Sequence, residues 1–229
     1  MPLQINANHI QEPTLEYVAW VDVMGIACAM QRSMKIAANF MLKLHIAALH
    51  APHANVRLYP IMDGFYASSP SQTDMLVFLR YVFHALAETF VAEPHHHFRF
   101  VIRGSFAFGT VVHGAGLPPL VSTTLNGAPE YRRRLLIGMP MIDSCRSEKM
   151  APPFGVYVHE SARTGAPLGD APLPDELWRW NAPPHAATWA ALGPRMNEYY
   201  DWCDAHSAAI GYPLADIVRH RAGMNAYLI

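Results

Sequence analysis

The sequence predicts an α/β fold, and three observations carry that expectation. The chain of 229 residues is 52% hydrophobic and only 15% charged, a balance that supports a sizeable core. Its apolar residues recur at period 2 in some stretches and at helical spacing in others. An Asp63-Gly64 pair sits between two apolar runs, a strong signal for a tight hairpin. Intrinsic disorder is excluded, since disordered chains are rich in charge and poor in apolar residues. A small disulfide scaffold is excluded too, because Cys28, Cys145 and Cys203 cannot pair evenly and lack metal-type spacing. Reduced thiols fit a cytoplasmic location. The charged fraction is below the usual value of roughly 25%, which favours an oligomer. A net charge of −1 gives no basic footprint for nucleic acid.

Residues 1–14 read as a polar N-terminal arm with no apolar signal segment. EYVAWVDVM (16–24) is short, aromatic and β-branched, and reads as a strand that Gly25 ends. Residues 26–50 read as one long helix with polar positions 32, 35, 39 and 43 on one face and the rest buried. Charges inside this stretch exclude a membrane span. VRLYPIMDGFYAS (56–68) reads as the hairpin, and Ser71-x-x-Asp74 as a capping box opening a helix to about Val91. Arg80, His84 and Glu88 fall on the wet face of that helix. His95, His96 and His97 are adjacent in a turn, so they read as a solvated loop.

FRFVIRGSFAFGTVVH (98–113) is the longest strand-like run, with Gly104 and Gly109 marking bulges or close backbone approach. Arg132, Arg133 and Arg134 read as a solvated charge run in a strand. A short helix follows at 140–150 and a further strand at 154–159. Residues 164–185 are Pro-rich and read as a linker. Residues 186–229 read as a helical extension broken at Pro194 and Pro213. The first six elements make the βαββαβ order of a ferredoxin-like core, with extra strands and the helical extension added. That core hosts many activities, so function has to come from the site.

Asp22 ends the first strand and Asp63 tips the hairpin. In a βαββαβ sheet the first and third strands are neighbours, which sets the two carboxylates across from each other. Carboxylates that close repel unless a cation lies between them, and oxygen donors suit Mg²⁺ or Mn²⁺. The turn after Asp22 leads into a helix N-terminus, where free N–H groups attract phosphate. Asp63 taken alone is also a common turn residue. Asp22, between Val21 and Val23, is costly to bury without a partner.

VAWVDVMGI, YPIMDGFYA, FVIRGSFAFGTVVHG, LLIGMPMIDSCRSEK and FGVYVHESA occur in an order and spacing that resembles the class III nucleotide cyclase catalytic domain, over about residues 16–163. The resemblance implies that Asp22, Asp63 and the carbonyl of Val23 hold two divalent cations, Mg²⁺ or Mn²⁺. It implies that Met24, Gly25 and Ile26 bind phosphates through backbone N–H groups. It also implies a head-to-tail homodimer in which Arg146 of the partner steadies the transition state. The family's Asn four residues earlier is Ile142 here, a departure.

At the positions where purine cyclases read the base, this chain carries Tyr59 and Leu135. Neither purine signature is present. The combination resembles the pyrimidine cyclases of the bacterial Pycsar anti-phage systems. The expected activity is conversion of UTP to 3′,5′-cyclic UMP and pyrophosphate, with CTP or a purine as alternatives. The product would be read by a separate effector protein, and no nucleic acid or membrane is expected as partner. A degenerate domain that binds nucleotide as a regulator is the alternative of another class. Tyr59 also reads as a cross-strand aromatic on a sheet face. Arg103 reads either as a group under the triphosphate or as half of a structural ion pair.

Overall fold

Strand β1 (Thr14–Val23) occupies the centre of a mixed sheet because its alternate residues suit two different faces. Tyr17, Ala19, Val21 and Val23 enter the main core under the helices. Val18 and Trp20 join a smaller cluster with Tyr59, Tyr66, Val111 and Leu136 on the opposite face. The computed structural model describes residues 5–52, 54–167 and 169–228. Residues 1–4 of the expected N-terminal arm lie outside the described residues.

The expected helix over 26–50 is two helices, α1 (Ile26–Arg32) and α2 (Met34–His50). Ser33 divides them in an extended conformation, and its hydroxyl accepts the Ile36 N–H at 3.4 Å. A serine hydroxyl competes with the helix ladder for a backbone donor, which makes it a start signal rather than an interior residue. Less of α2 is buried than its pattern suggests, because Met34, Leu42, Ile46 and Leu49 stay exposed.

Strands β2 (Arg57–Ile61) and β3 (Gly64–Ser69) form the hairpin around Met62-Asp63. Helix α3 (Gln72–Ala92) starts where the capping box places it, with the Ser71 hydroxyl accepting the Asp74 N–H at 3.2 Å. By length and composition α3 could cross a membrane. Here Met75, Phe78, Leu79, Val82, Phe83 and Leu86 build the core between sheet and extension. The expected wet face of α3 is partly covered. Arg80 donates to the Trp180 carbonyl at 3.2 Å, and His84 bonds Thr188 at 3.1 Å.

Strand β4 (Ile102–His113) starts four residues later than expected, after a 3-10 turn at His96–Phe98. A Cβ on Gly104 would lie 3.0 Å from the Trp20 carbonyl, the close approach the sequence suggested. Helices α4 (Thr123–Asn126) and α5 (Pro129–Arg133) follow. The strand expected at Arg132–Arg134 is therefore a helix end, since Pro129 and Glu130 favour a helical first turn. Next come β5 (Leu136–Gly138), α6 (Met139–Ser147), β6 (Val156–Val158) and α7 (Glu160–Thr164). With a last strand, β7 (Leu177–Trp178), the sheet order is β2-β3-β1-β4-β6-β7, with β5 also pairing β4. The first four strands in this order are the ferredoxin-like arrangement, with β1 between β3 and β4 and antiparallel to both.

The Pro-rich stretch 164–185 packs on the domain. It contributes β7 (Leu177–Trp178) to the sheet edge and buries Trp180 completely, with the indole N–H on the Phe154 carbonyl at 2.8 Å. Helices α8 (Ala186–Ala205), α9 (Ser207–Ile210) and α10 (Leu214–Leu228) complete the chain. Pro194 lies inside α8 and does not end it. A proline inside a helix costs about 3 kcal/mol, and burial of Leu192, Met196, Tyr200 and Cys203 on α8 offsets that cost.

Candidate functional site

Asp22 pairs with Gly64 on β3 and with Arg103 on β4, so Asp63 stands one residue beyond its neighbour across the sheet. The hairpin brings the Asp63 carboxylate close enough for its charge to act on Asp22. Their repulsion is visible in the acid itself: burial first, then the charges of Asp63 and Glu148, push the Asp22 carboxyl up to about 7. Its Oδ1 is buried and has no hydrogen-bond partner. A buried acceptor without a donor costs stability in the free chain.

Glu148 is the residue that sequence reasoning missed. It is buried just after α6 and ion-paired with Arg103. Burial and the charge of Asp63 raise its carboxyl, while Arg103 holds it down. Arg103 is thus half of a structural pair, and it also pulls on Asp22.

The unpartnered Oδ1 with a second carboxylate beside it is a donor set that fits a hard divalent cation. Among the described residues no group of three or more His, Cys, Asp or Glu side chains converges as a metal centre. The residues present for a cation are therefore Asp22, Asp63 and neighbouring backbone, with Glu148 occupied by Arg103. Val23 is the last residue of β1, paired with Ile102.

The phosphate turn differs from the expectation in two ways. The Met24 N–H donates to the Val101 carbonyl at 2.8 Å, so it is used inside the sheet. Ile26 begins a helix of only seven residues, so little helix dipole stands behind the turn. Gly25 caps α1 with φ +71°, a left-handed backbone that favours glycine. Met24 and Gly25 line a cavity of about 310 Å³ that opens beside Asp22.

Tyr59 lies further along the same sheet face, in the smaller cluster with Trp20 and Tyr66. It is 4% exposed, and its hydroxyl bonds His113 Nδ1. His113 Nε2 bonds Glu16 at 2.8 Å, and Glu16 also takes bonds from Ser68, from Thr14 at 2.8 Å and from Arg57 at 3.1 Å. Burial raises the Glu16 carboxyl, but the bonds from His113, Ser68 and Thr14 outweigh it and hold it at about 2. An ionised carboxylate only accepts, so Nε2 carries the proton. In the neutral ring Nδ1 then accepts, and Tyr59 donates to it. The phenol oxygen keeps lone pairs and offers no second proton.

Arg146 and Ile142 lie one turn apart on the exposed face of α6, where Ile142 is 37% exposed. Arg146 does not line the cavity beside Asp22. Cys145 is exposed on the same helix, and Cys28 is half-buried. Leu135 is half-buried at the bend before β5.

No protein-family model and no curated protein matches the sequence. Several solved structures are similar in fold. The guanylyl cyclase domain of the RhoGC fusion protein from Blastocladiella emersonii is 16% identical, with a TM-score of 0.46, covering 66% of this chain and 84% of that one. The guanylate cyclase domain of RhGC from Catenaria anguillulae, in complex with GTP, is 15% identical, with a TM-score of 0.47 over 66% of this chain and 81% of that one. An adenylate/guanylate cyclase/hydrolase from Silicibacter pomeroyi is 15% identical, with a TM-score of 0.46 over 72% of this chain and 90% of that one.

Proposed function

We propose that this chain is a nucleotide cyclase that converts a pyrimidine nucleoside triphosphate, UTP before CTP, to its 3′,5′-cyclic monophosphate and pyrophosphate. The observation that carries the reading is the Asp22–Asp63 pair: two acids on adjacent strands, one with a buried, unpartnered oxygen. The five sequence segments that resemble class III cyclases add to it. Divalent cations, Mg²⁺ or Mn²⁺, would be held by Asp22, Asp63 and the Val23 carbonyl and would supply Lewis-acid activation of the ribose hydroxyl and charge neutralisation of the phosphates.

The ribose 3′-oxygen attacks the α-phosphorus in line, the bond to the β,γ-pyrophosphate breaks, and the hydroxyl proton is lost to solvent. Positioning and charge neutralisation carry reactions of this kind. Gly25 and Ile26 keep the phosphates close to Asp22. Arg146 sits exposed on α6 and away from the cavity of its own chain, which suits action in trans from a second copy in a head-to-tail homodimer. There it neutralises charge on the departing phosphates.

Tyr59, whose hydroxyl bonds His113, would read the base, its phenol oxygen serving as an acceptor when the imidazole takes its proton. Uracil N3–H and the cytosine amino group both match it. The cyclic product would serve as a messenger read by a separate effector in anti-phage defence.

The test is incubation of the purified protein with each of the four ribonucleoside triphosphates and Mn²⁺, with products identified by mass spectrometry. A cyclic pyrimidine monophosphate supports the whole reading. A cyclic purine keeps the reaction and overturns the role of Tyr59. Ile142, in place of the resembling family's Asn, favours one second reading, a regulatory domain that binds nucleotide without turnover. Nucleotide binding with no product in any reaction is its signature.

A further inference from the structure

The cavity beside Asp22 has a wall that the βαββαβ core does not supply. One side is built by Arg32 of α1, by Arg99, and by Arg103 of β4. The other is built by the α9–α10 corner, through Tyr212, Arg219 and His220. We propose that this corner completes the polyphosphate end of the active site, with Arg219 and Arg32 gripping the β- and γ-phosphates of the substrate from opposite sides. The inference rests on the nucleotide cyclase reading and assigns the cationic groups that reading leaves open.

The charge balance of the cavity favours a polyanion. Four arginines, Arg32, Arg99, Arg103 and Arg219, line it against two acids, Asp22 and Asp216. None of the chain's three lysines does. Arg103 is committed to Glu148, and Arg99 is buried with its guanidinium on the backbone carbonyl of Glu93 at 2.9 Å. Arg32 and Arg219 are the two whose present bonds are weakest. Arg32 forms no ion pair among the described residues, and its Nε reaches the Cys28 carbonyl at 3.4 Å. Arg219 pairs with Asp216 one turn away at 2.8 Å, with 70% of its side chain exposed. An exposed pair of this kind contributes little and is readily exchanged for phosphate. Guanidinium is the side chain best shaped to grip phosphate in a bidentate manner.

The corner is held in place against α1. Gly211 has φ +66°, and a Cβ there would touch the Cys28 Sγ at 3.4 Å. The Cys28 thiol donates to the Gly211 carbonyl at 3.3 Å. Tyr212 bonds His220 Nδ1, and His220 Nε2 takes a bond from Arg219 at 3.2 Å. That last bond aims the guanidinium. Glycine suits the left-handed backbone at residue 211.

The deciding experiment is calorimetric titration of the full chain with the magnesium salt of inorganic tripolyphosphate. Wild type, Arg219→Ala, Arg32→Ala and Arg219→Lys are compared, with melting curves as a folding control. The proposal expects binding by wild type, at least 10-fold weaker binding by each alanine variant at unchanged melting temperature, and partial recovery in Arg219→Lys. It also expects a raised KM for the nucleoside triphosphate with a smaller change in kcat. Equal binding by wild type and both alanine variants overturns it, as does absence of binding by wild type. Failure of the cyclase reading registers separately, as absence of cyclic product from wild type.

Discussion

The two ends of strand β1 carry acids on the same face of the sheet, and they live in opposite circumstances. Glu16 is 2% exposed and surrounded by donors from His113, Ser68, Thr14 and Arg57, so it stays ionised down to about pH 2. Asp22, six residues on, has a buried oxygen with no donor and two other acids close by. Burial is common to both, so burial alone does not separate a structural acid from a functional one. Satisfaction does: the fold has supplied donors all round the acid at one end and left one oxygen of the other without a donor. Energy left unrecovered at Asp22 is what a ligand can recover.

The sharpest way to break this comparison is at the unsatisfied end. Asp22→Ala and Asp63→Ala are each expected to lower cyclic nucleotide formation by about a thousandfold or more, with melting temperature retained. A variant that turns over normally removes its carboxylate from the site. At the satisfied end the effect falls on stability. Glu16→Ala leaves several buried donors unpaired and is expected to destabilise the chain by about 3 kcal/mol in urea titration.

The pH dependence follows from the same acid. Its carboxyl is depressed in the folded chain, so its stabilisation is complete above about pH 4.5 and lost as pH falls towards about 2. Glu16→Gln should flatten the melting profile in that window. An unchanged profile would show that other groups dominate acid unfolding.

Two smaller effects sharpen the contrast. In metal-free protein Asp22→Asn removes a buried charge repelled by Asp63 and Glu148 and is expected to stabilise by about 1 kcal/mol above pH 7. Added Mn²⁺ should raise the melting temperature of wild type and leave Asp22→Asn unmoved, and a rise in both would place the cation elsewhere. Tyr59→Phe is expected to cost about 1 kcal/mol, the loss of one hydrogen bond to His113. A shift in preference among the four nucleotides would tie that hydroxyl to base reading, whereas unchanged preference would leave it a structural aromatic.

The part of the site legible in the sequence is the part built from local signals. An apolar strand ending in Asp22 and an Asp63-Gly64 turn fix two positions, and the βαββαβ order makes their strands neighbours. Glu148 was not legible, because its burial comes from a contact with Arg103, 45 positions earlier. The break at Ser33 did leave a signal, a serine three residues before Ile36, but the continuous apolar pattern on both sides hid it. In the segment 164–185 the prolines masked the apolar residues Leu177, Trp178 and Trp180, which complete the sheet edge and core. Pro194 misled in the other direction, since tertiary burial of α8 overrode a local preference.

The bond between Cys28 and Gly211 spans 183 positions of chain. A ring of that size closes late, because long-range contacts form only after the intervening segments have found their own places. The wall that this bond secures is therefore expected to gain hydrogen-exchange protection during refolding after the sheet it leans on. The order of assembly gives the molecule two grades of completeness: a sheet that brings the acids together, and a pocket that exists only once the far end of the chain has come home to α1. Local opening of the α9–α10 corner reverses only the second grade, so access to the cavity can vary while the strands carrying Asp22 and Asp63 stay paired.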